Sequence, residues 1–137
     1  MSHARARRAI EVKIAAWADA LPVTVVYGAD PADQPEDQVY LRAFLIPAST
    51  DCRYLNASEL EYRGIYQVSI ICPAGTPVST PEQLVDQLSA LFPVDSELSR
   101  AGFAGLVVRP VEQGPTITDT TTFMVPASFT YRGSAAP

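Results

Sequence analysis

The side chains able to move a proton or attack a carbonyl are few, and their spacing does not gather them. His3 is the one histidine and Lys13 the one lysine. A serine or cysteine nucleophile needs an oriented base, and His3, at a chain end expected to be mobile, cannot be held as one. Lys13 falls within an amphipathic segment, where a structural role accounts for it. Cys52 and Cys72 have neither CxxC spacing nor a histidine nearby, so a zinc or redox centre lacks its ligands. Of the fifteen acids, Glu59 with Glu61, or Asp95 with Glu97, have the spacing for an acid and base pair. Acids alternating beside a loop also simply solvate a turn. The stretch at 28–37, GADPADQPED, lacks the ligand order and glycine of an EF-hand. No GxxxxGK, GxGxxG or HExxH pattern occurs. No catalytic, cofactor-binding or metal-binding residue is therefore assigned, and the chain reads as a non-enzyme.

What the elements must position is then surface. The 137 residues are 47% apolar and 18% charged, the composition of one globular domain with a sizeable core. That domain is expected to span 1–137, with 1–5 and 133–137 as mobile ends. The net charge of −5 opposes affinity for nucleic-acid phosphates. The one basic cluster, Arg5, Arg7 and Arg8, opposes the dipole of the helix it begins. No apolar run approaches the roughly 18 residues that cross a bilayer, and MSHARARR does not lead into a signal-peptide core. The expectation is a soluble protein made in a cytoplasm, without a membrane partner.

Ile10, Ile14, Trp17 and Leu21 recur at helical spacing and predict one amphipathic helix over about 5–20, stopped before Pro22. Val23 to Tyr27 reads as a short strand closed by Gly28, and the acidic, proline-bearing loop follows. Val39 to Ile46 and Tyr62 to Cys72 alternate, predicting a long antiparallel hairpin that holds Cys52 and Cys72 too far apart for a disulfide. Tyr62, Tyr66 and Phe44 are expected in the core or in cross-strand pairs. Thr80, Pro81 and Glu82-Gln83 have the pattern of an N-cap, a first helical residue and a capping box, ahead of Leu84, Val85, Leu88, Leu91 and Phe92 on one face. Ala104 to Val111 is extended, and Thr121 to Arg132 forms the last strand. Pro126 inside it predicts a sheet edge or a bulge. The fold class is α+β, an antiparallel sheet of four or five strands with two helices packed on one face, in the order α-β-β-β-α-β-β.

In that order these elements resemble the tail terminator proteins of long-tailed bacteriophages, the family typified by the lambda minor tail protein U. The likeness rests on the first helix with Trp17 and Leu21-Pro22, the strand 23–27, RGIYQVSIICPAGT at 63–76, the helix after it, and FMVPASFTYR at 123–132. Gly64, the alternating strand and Pro73-Ala74-Gly75 leading to a helix form its most specific piece.

The resemblance implies a structural virion protein at the head-tail interface, present in the host cytoplasm during assembly. Its copies would form a ring, generally of six, that caps the tail tube, stops its polymerisation and presents the head-joining surface. The implied partners are other copies of the chain, the tail tube protein and a head completion or connector protein. DNA would pass through the lumen without specific binding. Another neck or tail component, a connector or tube-like protein, is the alternative, and a small carboxylate hydrolase a further one. Exposure and hydrogen-bonding capacity single out Arg53, Tyr54 and Arg63 for subunit or tube contact. In such a ring some of Asp30, Asp33, Glu36, Asp37, Glu59 and Glu61 would face the lumen and repel phosphates.

Overall fold

Ala6, Ile10, Ile14 and Ala18 recur every four residues and are all buried, which gives helix α1 (Ser2–Ala20) one apolar stripe. The computed structural model describes residues 2–28, 38–52, 60–99 and 103–135. After α1 come β1 (Thr24–Tyr27), β2 (Tyr40–Cys52), β3 (Leu60–Pro73), α2 (Ser79–Leu91), β4 (Ala104–Gln113), β5 (Ile117–Thr118) and β6 (Thr122–Ala135). They build one six-stranded sheet in the order β1-β2-β3-β6-β4, with β5 also paired to β6. Residues 2–5 and 133–135, set aside above as chain ends, belong to α1 and β6.

The α+β class and the hairpin stand. Two features of the sheet differ from expectation. It holds six strands among the described residues, because Ile117-Thr118 pairs with Met124 and Phe123. It is also mixed, since β1 runs parallel to β2 with Thr24 beside Tyr40. A parallel neighbour needs a return connection of roughly a dozen residues, which the segment between Gly28 and Val39 provides.

The last strand is no edge. β6 lies between β3 and β4, and Pro126 is tolerated there for a local reason. The Pro126 carbonyl accepts the Gly114 amide at 2.8 Å, so the proline's missing donor faces that same side. There β4 ends, at Gln113 opposite Ala127, and β5 begins, at Ile117 opposite Met124. The ladder is already open where the N–H would have been needed.

Helix α2 also starts earlier than its sequence suggests. Val78 is the cap residue, in helical geometry and without a side-chain cap bond, so Thr80 lies inside the helix. The turn before it is wound by backbone bonds from Thr76 to Pro73 and from Thr80 to Pro77, each 3.1 Å. Pro81 is then the third helical residue, where an amide would still lack an intrahelical partner.

Both helices cover the same face of the sheet. Ile10 and Ile14 of α1 and Leu84, Val85 and Leu88 of α2 join Leu41, Ala43, Tyr66, Val68, Ile70, Val125, Ala127 and Phe129 in one core cluster. Trp17 Nε1 donates to Gln87 Oε1 at 3.0 Å, tying α1 to α2. Lys13 has the structural role its position suggested. Its Nζ donates to Ser96 Oγ and the Glu97 carbonyl, at 3.1 and 3.3 Å, and lies 5.7 Å from the Phe92 ring centroid. The Tyr66 hydroxyl is buried with no hydrogen-bond partner, while its ring stacks on Phe129 at 6.0 Å. An unsatisfied buried hydroxyl costs about 1–3 kcal/mol. Tyr66→Phe should therefore leave the fold unchanged and match or raise stability in urea denaturation, by up to about 1 kcal/mol.

Candidate interaction surface

Strands β2, β3 and β6 stay paired as far as Cys52, Leu60 and Ala135, and this end of the sheet, the arm, is reached by the first turn of α1. In register across the three, the covered side reads Leu45–Tyr66–Phe129, Pro47–Gly64–Tyr131, Thr50–Tyr62–Gly133 and Cys52–Leu60–Ala135. A bulge between Pro47 and Ser49 shifts the register of β2 and keeps Thr50 on this side. Cys52 and Cys72 lie at opposite ends of the β2–β3 ladder, and no disulfide joins them.

His3 fastens the arm. Its Nδ1 lies 2.5 Å from the Tyr131 hydroxyl and its Nε2 3.2 Å from Thr50 Oγ1; because each hydroxyl can donate or accept, either tautomer of the neutral ring makes both hydrogen bonds. The ring meets Tyr62 edge-on, centroids 5.0 Å apart, and Tyr131 at 6.1 Å. The expectation of an unanchored histidine is thus corrected. Three residues distant in sequence hold it, a non-local contact that periodicity cannot show. Gly64 makes the arrangement possible, because a Cβ there would stand 2.5 Å from the Tyr131 hydroxyl oxygen and 2.8 Å from the ring carbon bearing it. Burial pushes His3 below the ordinary histidine value, with a backbone bond to Ser49 pulling it up; burial also raises Tyr131.

The opposite side of the sheet carries neither helix. Its rows are Tyr40–Ile71–Met124, Arg42–Ser69–Pro126, Phe44–Gln67–Ser128, Ile46–Ile65–Thr130, Ser49–Arg63–Arg132 and Asp51–Glu61–Ser134. A solvated antiparallel face is ordinarily polar. This one mixes arginines with aromatic and branched apolar side chains, and Ile46 and Ile65, directly paired, are 41% and 37% exposed.

Of the residues singled out from sequence, Arg63 lies on this open face, exposed, 3.9 Å from Glu61 and directly opposite Arg132. Glu61 is half-buried on the arm. Arg53, Tyr54, Asp30, Asp33, Glu36, Asp37 and Glu59 lie outside the described residues. Glu61 and Glu97, one from each candidate carboxylate pair, line a cleft of about 390 Å³ with Arg132. Asp95 does not line it and holds a left-handed backbone with φ of 69°. Arg42, Arg109 and Arg132 were not singled out; alternation alone placed Arg42 and Arg132 on the face that proved open, but not its lack of a covering layer. Among the described residues no three histidine, cysteine or acidic side chains group as a metal site, and no helix is long and apolar enough to cross a membrane.

Among the described residues the molecule is thus a two-layer α+β unit with both helices on one face of a mixed sheet. The family model described as phage tail terminator protein matches residues 5–131, and the chain belongs to that family. It is accordingly a structural component of a bacteriophage tail. One solved structure is similar over the whole length, at 32% identity, with 100% of this chain and 99% of that one covered and a TM-score of 0.82. No curated protein matches.

Two outcomes test the arm's fastening. Histidine with a folded pKa below its unfolded one binds fewer protons when folded, so its contribution is present above about pH 6.5 and falls as pH drops through the folded value. The melting temperature of the wild type should therefore fall more between pH 7 and pH 5 than that of His3→Gln. Gly64→Ala should cost about 2–3 kcal/mol in chemical denaturation by forcing Tyr131 from its place, with loss of the slow exchange expected of its hydroxyl proton.

Proposed function

We propose that the protein is the tail terminator of a long-tailed phage: copies of it, generally six, close into a ring on the finished tail tube, stop further addition of tube subunits and offer the surface that receives the head. The observation that carries this reading is the family match across residues 5–131. The molecule's asymmetry supports it. One side is a helix layer and the other an open sheet, with unlike strands, β1 and β4, at the two edges. A contact between two different patches repeats head to tail and closes where the rotation per copy divides a full turn.

The tube protein and a head completion protein are the partners of the two ring surfaces, with Arg63 of β3 as a contact and Arg53 and Tyr54, outside the described residues, as further candidates. The acids Asp30, Asp33, Glu36, Asp37, Glu59 and Glu61 would repel phosphates if they line the channel, since carboxylates there keep passing DNA from adhering.

Particles assembled without this protein should carry tails of irregular, excessive length, measured by electron microscopy, and supplying the protein should restore a uniform length. Tails of normal length in its absence would overturn the reading. Unlimited filaments of the purified protein would instead identify a tube-like component.

A further inference from the structure

The helix-free sheet face exposes Ile46 and Ile65, and the Arg63–Arg132 pair on it argues against a second identical face. It carries Arg42, Arg63 and Arg132, with Arg109 on the neighbouring strand opposite Thr130. Against these stand Asp51, Glu61, Glu112 opposite Ser128, and Glu97, bridged to Leu106 beside Arg132. Four arginines and four acids leave the face near neutral in a chain whose net charge is −5, so the rest of the surface is the more acidic part. Arg63 and Arg132 are directly opposed, an unfavourable pairing of like charges. Docking two such faces on each other would bring four arginines together.

A complementary surface lies on the other side of the same molecule. Along α2 the exposed positions Glu82, Asp86 and Ala90 recur every four residues, with exposed Val78 at the cap before it and Val94 three residues past its end. The helix contains two acids on that stripe and no lysine or arginine. Val78 and Val94, at its two ends, are 65% and 46% exposed. Acids between apolar ends match a sheet face on which Phe44, Ile46 and Ile65 lie between Arg42 and the Arg63–Arg132 pair. Size fits as well. Four strands about 4.8 Å apart and six rows along them project on the order of 600 Å², and the accessible area of so corrugated a surface is larger. A standard interface takes about 800 Å² from each partner.

We infer that the open sheet face of one copy docks on the α2 side of the next, with Arg63 and Arg132 meeting Glu82 and Asp86. This rests on the ring reading above and deepens it by naming the two contacting surfaces. Because they lie on opposite sides of a two-layer unit, the contact is head to tail, and every copy both gives and receives.

The test is a charge swap. Arg63→Glu with Arg132→Glu spoils the sheet face, and Glu82→Arg with Asp86→Arg spoils the helix side; all four positions are exposed, and circular dichroism checks that each variant is folded. Association is read by sedimentation in solution and by binding to purified tail tubes, so that closure only on a tube is also seen. Each variant alone should associate at least about tenfold more weakly than the wild type. Mixed one to one they should recover, since each repaired contact joins unlike copies, and the rings should hold even numbers with the variants alternating. Normal self-association of either folded variant, or failure of the mixture to recover, overturns the inference. Sheet-face variants that form rings yet fail to bind tubes also overturn it, by placing a tube subunit on that face. None of these results touches the tail-length experiment, which tests the terminator reading alone. A wild type that never meets a second copy, in solution or on a tube, ends both.

Discussion

The sheet is longer than the helices that cover it, and most of the molecule's surface follows from that mismatch. Strands β2, β3 and β6 have 13, 14 and 14 residues, spanning about 43–46 Å at 3.3 Å per residue. Helix α1, with 19 residues, spans about 28 Å, and α2 less. One helix layer can bury only one face, and only part of its length. What is left over is an arm at one end, which α1 reaches by its first turn, and a whole face behind. Hydrophobic burial between Ile10, Ile14, Leu84 and Leu88 and the sheet residues Leu41, Tyr66, Val68, Ile70 and Phe129 fixes which face is covered. A register slip of one residue would exchange the two sets of side chains and destroy both the core and the open face.

Where the core thins toward the arm, aromatic rings lying over glycines take its place. Gly64 and Tyr131 are direct partners across β3 and β6, and the tyrosine ring occupies the space a Cβ would need. Gly105 and Gly133 are partners across β4 and β6, and the buried Phe103 ring covers both. Such aromatic cover restores packing where glycine offers none. His3 then joins the first turn of α1 to this layer through Tyr131, Tyr62 and Thr50. The arm is thereby held at its base by side chains from four elements, which lets it present Arg63 at a defined place.

Much of this was legible because it is periodic. The four-residue repeat of α1, the alternation of β2, β3 and β6, and the apolar face of α2 each encode their own burial. The misreadings share a different cause: each concerns what lies beside an element, not the element itself. Pro126 has the chemistry of an edge residue, yet the strand is interior because the neighbour changes from β4 to β5 at that point. β1 is four residues long, too short for alternation to announce a parallel partner. Thr80 carries the right side chain for a cap, but the turn at Pro77 begins the helix sooner. His3 is fastened by Thr50, Tyr62 and Tyr131, and nothing local in the sequence points to them. The surface residues were legible only as exposed, since which face a helix layer leaves open is a property of the assembled core.

The same reasoning bears on how copies can meet. A free strand edge is the simplest route to association, by adding a strand from a neighbour. Here both edges are poor templates. β1 offers four residues, and its end is closed by Arg42, whose Nη1 donates to the Gly28 carbonyl at 3.2 Å. β4 is interrupted twice, between Val107 and Arg109 and between Arg109 and Glu112, and its outer row is already used at Gly105 and Val107, whose carbonyls accept the Leu98 and Asp95 amides, while the Val107 amide donates to the Ser96 carbonyl. Pro126, interior on β6, has no part in blunting either edge. Contacts made by broad faces discriminate better than strand addition, because they require matching side chains and not merely a backbone. In the ring proposed above, that distinction would decide between a closed assembly and an open fibre.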